Sequence, residues 1–567
     1  MTTNNLFTHI EEKGKKDKLF FHFYIVLLVF SSIFLFFSIG LLIYKPTSIF
    51  SIIFLVIFAL FFILSLRSLI AYLIIPNRQI EFNYENNSLT VNKNKRHRVV
   101  INGSDVYAIE SPKGKHVSLI TNYTGITIYL VNGSKIKIKY LTDPKHLLEM
   151  LRIYLNVKPS GFVKLNFFKL IYHRFINFMT KIALYFYIPK YPTLYNCPPN
   201  FLDTIKPTSY LLVVGRHLSK TAYFENIKKL LSEKKATFAE FSEVSPNPTV
   251  ENVEKGKDIF IKNNCKEIIA IGGGSVLDCA KGIAVIAYSK KPISKYKGYF
   301  KVLHKVPKIT AIPTTCGTGS ETTFASVIRD DKKDEKYAIV SGKIFPSKAL
   351  LDPNLLLDLP NKILASTSMD ALTHAIESYL NMTASRASKK ENVEAIQLIF
   401  DNLEKAYDDP TNIEYKVKLL YASFLAGKAF NRGLVGSVHA LSHALGGKYN
   451  IGHGETNARL LPVFLKYYIF KSYKKMGKLY NKVTDEKTSD LHESAYNLIL
   501  RIDSLNKKFG FAPKIKELKK EDIDEIALHA YKESIKIYPC PILFSLEQYK
   551  IILRTLIVEE KDNEIIK

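Results

Sequence analysis

The chain has no tryptophan, so its aromatic content of 12% rests on 33 tyrosines and 36 phenylalanines. Cysteine is scarce, with five among 567 residues: Cys197, Cys265, Cys279, Cys316 and Cys540. An odd, unpatterned set excludes a disulfide framework and fits a reducing compartment. Acidic residues are also short, 52 Asp and Glu against 80 Lys and Arg, which leaves a formal charge of +28. A surplus of that sign points to nucleic acid or an anionic membrane surface. No internal repeat is present. Neither glycine-rich segment follows G-x-G-x-x-G, so the usual Rossmann fingerprint is excluded.

Two apolar runs decide between those partners in favour of the membrane. Residues 20–44 and 49–66, the latter extending to 75, are each long enough to cross a bilayer as a helix. A cleaved signal peptide is excluded, because the first run is too long, lacks a small-residue cleavage site and is followed closely by the second. Lys13, Lys15, Lys16 and Lys18 precede the first run, and Arg67, Arg78, Lys93, Lys95, Arg96 and Arg98 end or follow the second. The loop between them offers only Lys45. The positive-inside bias predicts a transmembrane hairpin with both ends in the cytosol, the chain lying in the cytoplasmic (inner) membrane with its later domains in the cytosol. Nucleic acid is not expected as a partner.

From 80 to 140 the pattern is that of short alternating strands. Ile80, Phe82 and Tyr84 alternate, turns recur at Asn86-Asn87, Asn102-Gly103 and Asn132-Gly133, and strand-like runs fall at 99–101, 117–120, 126–130 and 136–140. Asp143-Pro144 then opens an amphipathic helix through Leu147, Leu148, Leu151 and Tyr154. A small antiparallel barrel with one C-terminal helix resembles, in topology, the bacterial pleckstrin-homology-like (PH-like) domains beside membrane hairpins. The resemblance implies scaffolding or membrane-side binding and no site. Residues 161–190 are basic and aromatic, which suits either the lipid headgroup region or a packed connector. Pro189, Pro192, Pro198 and Pro199 mark a linker.

Beyond about 206 the chain reads as α/β and then, after Pro360, as helix. Buried-strand runs occur at 209–214, 267–271 and 309–312. The second leads into Gly272-Gly273-Gly274-Ser275 and a helical run at 276–285, where free backbone N–H groups and the helix dipole favour an anion. The third leads into Pro313-Thr314-Thr315-Cys316-Gly317-Thr318-Gly319-Ser320-Glu321, and ligands of such sheets bind at the carboxyl ends of strands. Asp370 and His374, then His439 and His443, stand at helical i, i+4 spacing, and His453 follows a glycine-rich turn. A single such histidine is ordinarily a core residue, but one carboxylate with several imidazoles makes an N/O site for a divalent first-row metal. It contains no cysteine, so it is not a thiolate zinc site.

The order of these motifs resembles the iron-containing (group III) alcohol dehydrogenases: Gly-Gly-Gly-Ser-x-x-Asp-x-x-Lys at 272–281, Ile-Pro-Thr-Thr-x-Gly-Thr-Gly-Ser-Glu at 312–321, Asp-Ala-Leu-Thr-His-Ala-Ile-Glu at 370–377, and His-Ala-x-Ser-His-x-Leu-Gly with His-Gly-x-x-Asn-Ala at 439–458. Pro246-Asn247-Pro248-Thr249 and Ala349-Leu350-Leu351-Asp352-Pro353 are similar to that family too. The resemblance covers roughly 200–560. It implies a dehydroquinate synthase-like fold, with an α/β dinucleotide-binding domain and an all-α metal-binding domain. The implied metal ligands are Asp370, His374, His439 and His453, with Fe²⁺ favoured over Zn²⁺. His443 is implied as the residue near the metal and nicotinamide, a candidate for proton relay. Gly273, Gly274, Ser275 and Asp278 would serve the pyrophosphate side of the cofactor, Thr314, Thr315 and Thr318 its cleft, and Lys336 its ribose.

One departure bears on the cofactor, NAD(P). NAD-preferring members carry an Asp where this chain has Gly215, and loss of that carboxylate removes repulsion of a 2′-phosphate that Arg216 could pair with, so NADP(H) is favoured. A second is Asn196-Cys197-Pro198-Pro199 in place of a Gly-containing turn. The expected organisation is multidomain: 1–77 cytoplasmic N-terminus and hairpin, 78–157 PH-like, 158–200 connector, 201–360 NAD(P)-binding, and 361–567 helical and catalytic. The expected function is a membrane-anchored, metal-dependent alcohol dehydrogenase or aldehyde reductase acting on a small-molecule substrate, with a homodimer implied by the resemblance. Two alternatives stand beside it. One is a polyol-phosphate dehydrogenase or sugar-type synthase on the same fold. The other is a membrane scaffold with a cofactor-sensing passenger domain.

Overall fold

The computed structural model describes 204–332 and 335–558 continuously and, before them, separate segments: the strands and helices named below, short helical pieces, and 191–196. The chain divides into two units, Met1–Lys164 and Leu165–Lys567.

In the first unit, β1 (Leu6–Glu11) precedes the helix α1 (Lys15–Tyr44), and β2 (Arg78–Asn83), β3 (Ser88–Asn94) and β4 (His97–Asn102) follow it. These strands form one antiparallel sheet in the order β1-β2-β3-β4. A second sheet joins β5 (Val106–Glu110), β6 (Thr124–Leu130) and β7 (Lys135–Leu141). The expected runs at 99–101, 126–130 and 136–140 fall inside β4, β6 and β7. The run at 117–120 and the helix after Asp143-Pro144 lie outside the described residues. Unexpectedly, β1 lies along β2 over its whole length, Leu6 opposite Asn83 and Glu11 opposite Arg78. The apolar segments are therefore an insertion within the β unit and not a prelude to it. A six-residue strand whose partner lies beyond two apolar runs leaves no local signature.

Side chains of α1 are described over 25–40 and at Ile43. Most are apolar and many are exposed, with Phe36 at 77% and Ile43 at 78%. Phe34 stacks on Phe58 at 4.9 Å, in the helical stretch 55–60. Among the described residues no helix is long and apolar enough to cross a membrane. The stretch 25–40 is about 24 Å long at ~1.5 Å per residue. The rest of the expected second span, 49–75, lies mostly outside the described residues.

The second unit opens with a six-stranded parallel sheet built from β8 (Thr193–Asn196), β9 (Ser209–Val214), β10 (Thr237–Phe241), β11 (Glu267–Gly272), β13 (Lys308–Pro313) and β16 (Lys348–Leu351), in the order β10-β9-β11-β13-β16-β8. The edge strand β8 comes from within the expected connector and pairs with β16. Helices α2 (Ala222–Glu233), α3 (Val250–Lys262) and α4 (Gly274–Ile286) cover its faces. Burial on both faces explains the continuous apolar runs. Leu211, Val213, Ile268 and Ala270 pack towards Ile283 and Phe260, whereas Leu212, Val214, Ile269 and Ile271 pack towards Phe224 and Leu231. A smaller sheet of β12 (Gly298–Tyr299), β15 (Glu335–Val340) and β14 (Ala325–Asp330) lies beside it in the fold order.

Eight helices follow: α5 (Asn361–Leu380), α6 (Arg386–Asp408), α7 (Ile413–Gly433), α8 (Ser437–Tyr449), α9 (His453–Val483), α10 (Leu491–Lys508), α11 (Ile523–Ile537) and α12 (Leu546–Leu556). Every residue of α5 from Ser368 to Leu380 is buried, with α6, α7 and α9 packed around it. Capping boxes at Thr249–Asn252, Ser385–Ser388 and Ser545–Gln548 start α3, α6 and α12. Each satisfies backbone donors otherwise left orphaned.

Candidate active site

Three helices bring the predicted metal residues together. Asp370 and His374 lie one turn apart on α5, His439 is in the first turn of α8, and His453 opens α9. Asp370 Oδ1 is 3.9 Å from His439 Nε2 and 3.7 Å from His453 Nε2. His374 stacks on His439 with centroids 4.5 Å apart. Ligand atoms of Asp370, His374 and His439 all lie within 4.8 Å of one another. Two ligands about 2.1 Å from one ion are separated by about 3 to 4.2 Å for angles between 90° and 180°, so the 3.7 and 3.9 Å spacings from Asp370 Oδ1 suit a shared cation. The close approach of α9 to α5 depends on Gly454, where a Cβ would lie 2.3 Å from the Ser366 carbonyl oxygen.

The donor chemistry also fits. Burial holds the proton affinities of His374 and His439 low, and lowers that of His453 to about 4. All three imidazoles are therefore neutral, each with one lone pair to offer. Asn457, one turn beyond His453, places Nδ2 2.7 Å from Asp370 Oδ1, 3.1 Å from His439 Nε2 and 3.2 Å from His453 Nε2. An amide has two N–H groups for these three acceptors, and Asn457 Oδ1 is buried without a hydrogen-bond partner. Three lone pairs converging on one point call for a cation.

Glu377 supports the set from behind. Its carboxylate accepts from His439 Nδ1 at 2.6 Å, Gly436 N at 2.9 Å and Val438 N at 2.8 Å. Burial raises its proton affinity to about 7, against these donors. The bond fixes the His439 tautomer with Nε2 towards Asp370. Glu377 belongs to the 370–377 motif, and its i+7 spacing from Asp370 on one helix face was the available signal. Glu377→Ala is expected to weaken metal affinity about 10- to 100-fold, read by chelator competition. An unchanged affinity would mean that His439 is oriented without it.

The two glycine loops are zipped together. A Cβ on Gly274 would lie 2.6 Å from Thr318 Cγ2, and one on Gly273 3.4 Å from Thr315 Cγ2. Gly319, at φ +59°, lies so close to α7 that a Cβ would be 2.5 Å from Gly427 Cα. Asp278 accepts from Ser320 Oγ at 2.7 Å and Val327 N at 2.9 Å. Lys281, wholly buried, donates to Ser320 Oγ at 2.7 Å, Thr323 Oγ1 at 2.9 Å and the Ala325 carbonyl at 2.8 Å, and lies 3.8 Å from Asp278. Burial lowers its proton affinity to about 8, with Asp278 opposing. The ammonium thus stays charged at neutral pH. Asp278, expected on the pyrophosphate side, has both carboxylate oxygens engaged in this link. Ser275 Oγ bonds the Pro246 carbonyl, and Thr314 N bonds the Gly272 carbonyl at 3.1 Å. No side chain caps α4 at Gly273 and no acid lies in its first turn. Lys281→Met removes the cation facing Asp278 and leaves Ser320, Thr323 and Ala325 without their donor, a loss of about 3–5 kcal/mol. A clearly lowered unfolding temperature and weakened NAD(P)H binding are expected, and a variant matching wild type in both would remove Lys281 from this role.

The remaining predicted residues lie at two places. Gly215 and Arg216 follow β9 directly, with Gly215 N 3.3 Å from the Ile271 carbonyl and Arg216 exposed. Lys336 on β15 stands opposite Arg329 on β14, and its charge bears on His443 and His453. His443 stacks on His453 at 5.2 Å and bonds Glu533 through Nδ1 at 2.8 Å. Glu533 lies on α11, and no spacing in the sequence linked it to His443.

Comparison with known proteins gives the family of the chain that carries this site. The model of the family "Iron-containing alcohol dehydrogenase" matches 196–353, and that of "Fe-containing alcohol dehydrogenase family, C-terminal" matches 364–557. A PH domain model matches 11–149, running through the apolar insertion. The NAD-dependent methanol dehydrogenase of Bacillus methanolicus is 34% identical over 336 residues, 59% of this chain and 88% of that protein. Alcohol dehydrogenase 4 of Saccharomyces cerevisiae (strain ATCC 204508 / S288c) is 32% identical over 364 residues, 62% of this chain and 92% of that protein. A solved 1,3-propanediol oxidoreductase superposes with a TM-score of 0.62 at 30% identity, covering 65% of this chain and 99% of its own. The chain belongs to the iron-containing alcohol dehydrogenase family. It is an enzyme, an oxidoreductase acting on CH–OH groups, with a PH domain match ahead of its catalytic part.

Proposed function

We propose that the chain is a membrane-anchored alcohol dehydrogenase or aldehyde reductase that prefers NADP(H), with its catalytic unit in the cytosol. The observation that carries the catalytic reading is the convergence of Asp370, His439 and His453 on the Asn457 amide, beside two glycine loops held together by Lys281. Asp370, His374, His439 and His453 would hold a divalent ion, iron being favoured. When bound, the ion supplies Lewis acidity towards the substrate oxygen and the nicotinamide supplies or accepts the hydride. The uncapped N-terminus of α4 receives the pyrophosphate on its free N–H groups. Thr315 and Thr318 line the cleft against Gly273 and Gly274. His443 holds or releases the proton of the substrate hydroxyl. The relatives' names mention methanol and 1,3-propanediol, and small alcohols and their aldehydes are the substrate class to test first.

NADP(H) preference rests on Gly215. A Cβ there would meet only Val276 Cγ2, at 3.9 Å, so nothing in the packing requires glycine. The missing carboxylate is a chemical feature, and Arg216 and Lys220 supply positive charge beside it.

Membrane anchoring rests on α1 and the β1–β2 pairing. The hydroxyls of Ser31, Ser32 and Ser38 donate back to carbonyls three or four residues earlier, so they need no water. Glu11 and Arg78 are neighbours, so the inserted segment leaves and returns at one end of the sheet. An even number of crossings satisfies that constraint. The test is carbonate extraction of membranes from expressing cells, followed by turnover assays on the full-length protein with aldehydes and both reduced cofactors. Retention in the pellet and metal-dependent oxidation of NADPH are expected. Extraction into the supernatant would contradict the anchor, and the absence of turnover with metal-loaded protein would contradict the substrate class.

A further inference from the structure

The hydrogen bond from His443 to Glu533 joins two helices far apart in sequence. His443 lies on α8 and Glu533 on α11, and Nδ1 to Oε1 is 2.8 Å. Tyr538, immediately beyond α11, donates its hydroxyl to the same Oε1. Lys448 bonds Glu525 at 2.7 Å and lies 3.3 Å from Asp522, while Tyr449 donates to Asp522 at 2.7 Å. The two helices are thus held together along their length, and the carboxylate is fixed relative to the imidazole. On its other side the His443 ring stacks on His453, 15° from parallel.

We propose that Glu533, held by Tyr538, is a positioning residue that binds the Nδ1 proton of His443 and so commits Nε2 to exchange a proton with the substrate hydroxyl. The inference rests on the reading of His443 given above. A neutral imidazole carries one N–H, and whichever nitrogen donates to a carboxylate leaves the other as the acceptor. In the oxidative direction the substrate O–H bond breaks and an Nε2–H bond forms. The C–H electron pair departs as hydride to the oxidised nicotinamide, leaving a carbonyl, and the imidazolium returns its proton to solvent. The Glu533 carboxylate balances the charge of that imidazolium and is itself not consumed.

Glu533→Ala removes the acceptor, whereas Glu533→Gln keeps an oxygen that can accept from Nδ1. In the full-length enzyme, Glu533→Ala is expected to lower kcat about 100-fold with KM, bound metal and NADPH affinity close to wild type. Glu533→Gln is expected to stay within about 10-fold of wild type. In a His443→Ala background, Glu533→Ala should cause no further loss, since residues acting as one unit are not additive. Independently of turnover, metal-free wild type and Glu533→Gln should show a downfield Nδ1–H proton resonance that Glu533→Ala and His443→Ala both lack. Wild-type kcat in Glu533→Ala, a full additional loss in the His443→Ala background, or an Nδ1–H resonance indifferent to Glu533 would overturn the inference. A His443→Ala enzyme that turns over at the wild-type rate would instead overturn the reading of His443 itself.

Discussion

Gly215→Asp is expected to reverse the cofactor preference, lowering the ratio of kcat/KM for NADPH to that for NADH by about 100-fold or more. A carboxylate at the end of β9 pairs with a ribose 2′-hydroxyl and repels a 2′-phosphate. The site can accept it, since a Cβ at Gly215 has ordinary contact with Val276 alone. A hydrogen bond to a charged group is worth about 1.5–3 kcal/mol, or about 10- to 150-fold. Gaining repulsion on one cofactor and a bond on the other therefore reaches this size. Arg216→Ala acts on one cofactor only, with NADPH turnover falling about 10-fold and NADH turnover staying nearly constant. The measurement is kcat/KM for both reduced cofactors with one aldehyde. Equal use of NADH and NADPH by the wild type would sink the idea.

The second large effect is at Asp370. Asp370→Asn keeps the shape of the side chain but removes the one negative charge among the four candidate ligands. Asp370 is 3% exposed, so water cannot replace that charge. Turnover is expected to fall by about 1,000-fold or more, because both ion retention and the Lewis acidity available to the substrate depend on this carboxylate. The fold should persist, since Asn457 Nδ2 can still donate to the retained Oδ1. A variant that folds, binds NADPH and keeps a tenth of wild-type turnover would contradict the assignment. Metal content measured on the same preparations separates loss of the ion from loss of its effect.

Much of the catalytic unit was legible in the sequence, for reasons that differ by element. The strands β9, β11 and β13 are buried on both faces, so their apolar runs are continuous and end in glycine or Pro-Thr loops. The ligand candidates lie at i, i+4 spacing on α5, and the glycine-rich turn before His453 announced the return of the chain. Supporting contacts were less legible. Glu377 could be placed by its helical spacing, but the donors it binds come from α8, and Glu533 reaches His443 from 90 positions away. Asp278 has contacts that its motif did not announce. Its place in a phosphate-loop motif suggested the cofactor, while the structure occupies it with Ser320, Val327 and Lys281. In the first unit the alternating strands were readable, but β1 was not, because its partner follows the whole apolar insertion.

The central claim is that Asp370, His374, His439 and His453 hold one catalytic metal ion. Its most direct test is the metal content of the full-length protein purified anaerobically, wild type beside His439→Ala. About one equivalent of iron or zinc per chain in the wild type, lost in the variant, is the predicted result. A wild type that remains metal-free after reconstitution with Fe²⁺ and Zn²⁺ would contradict it.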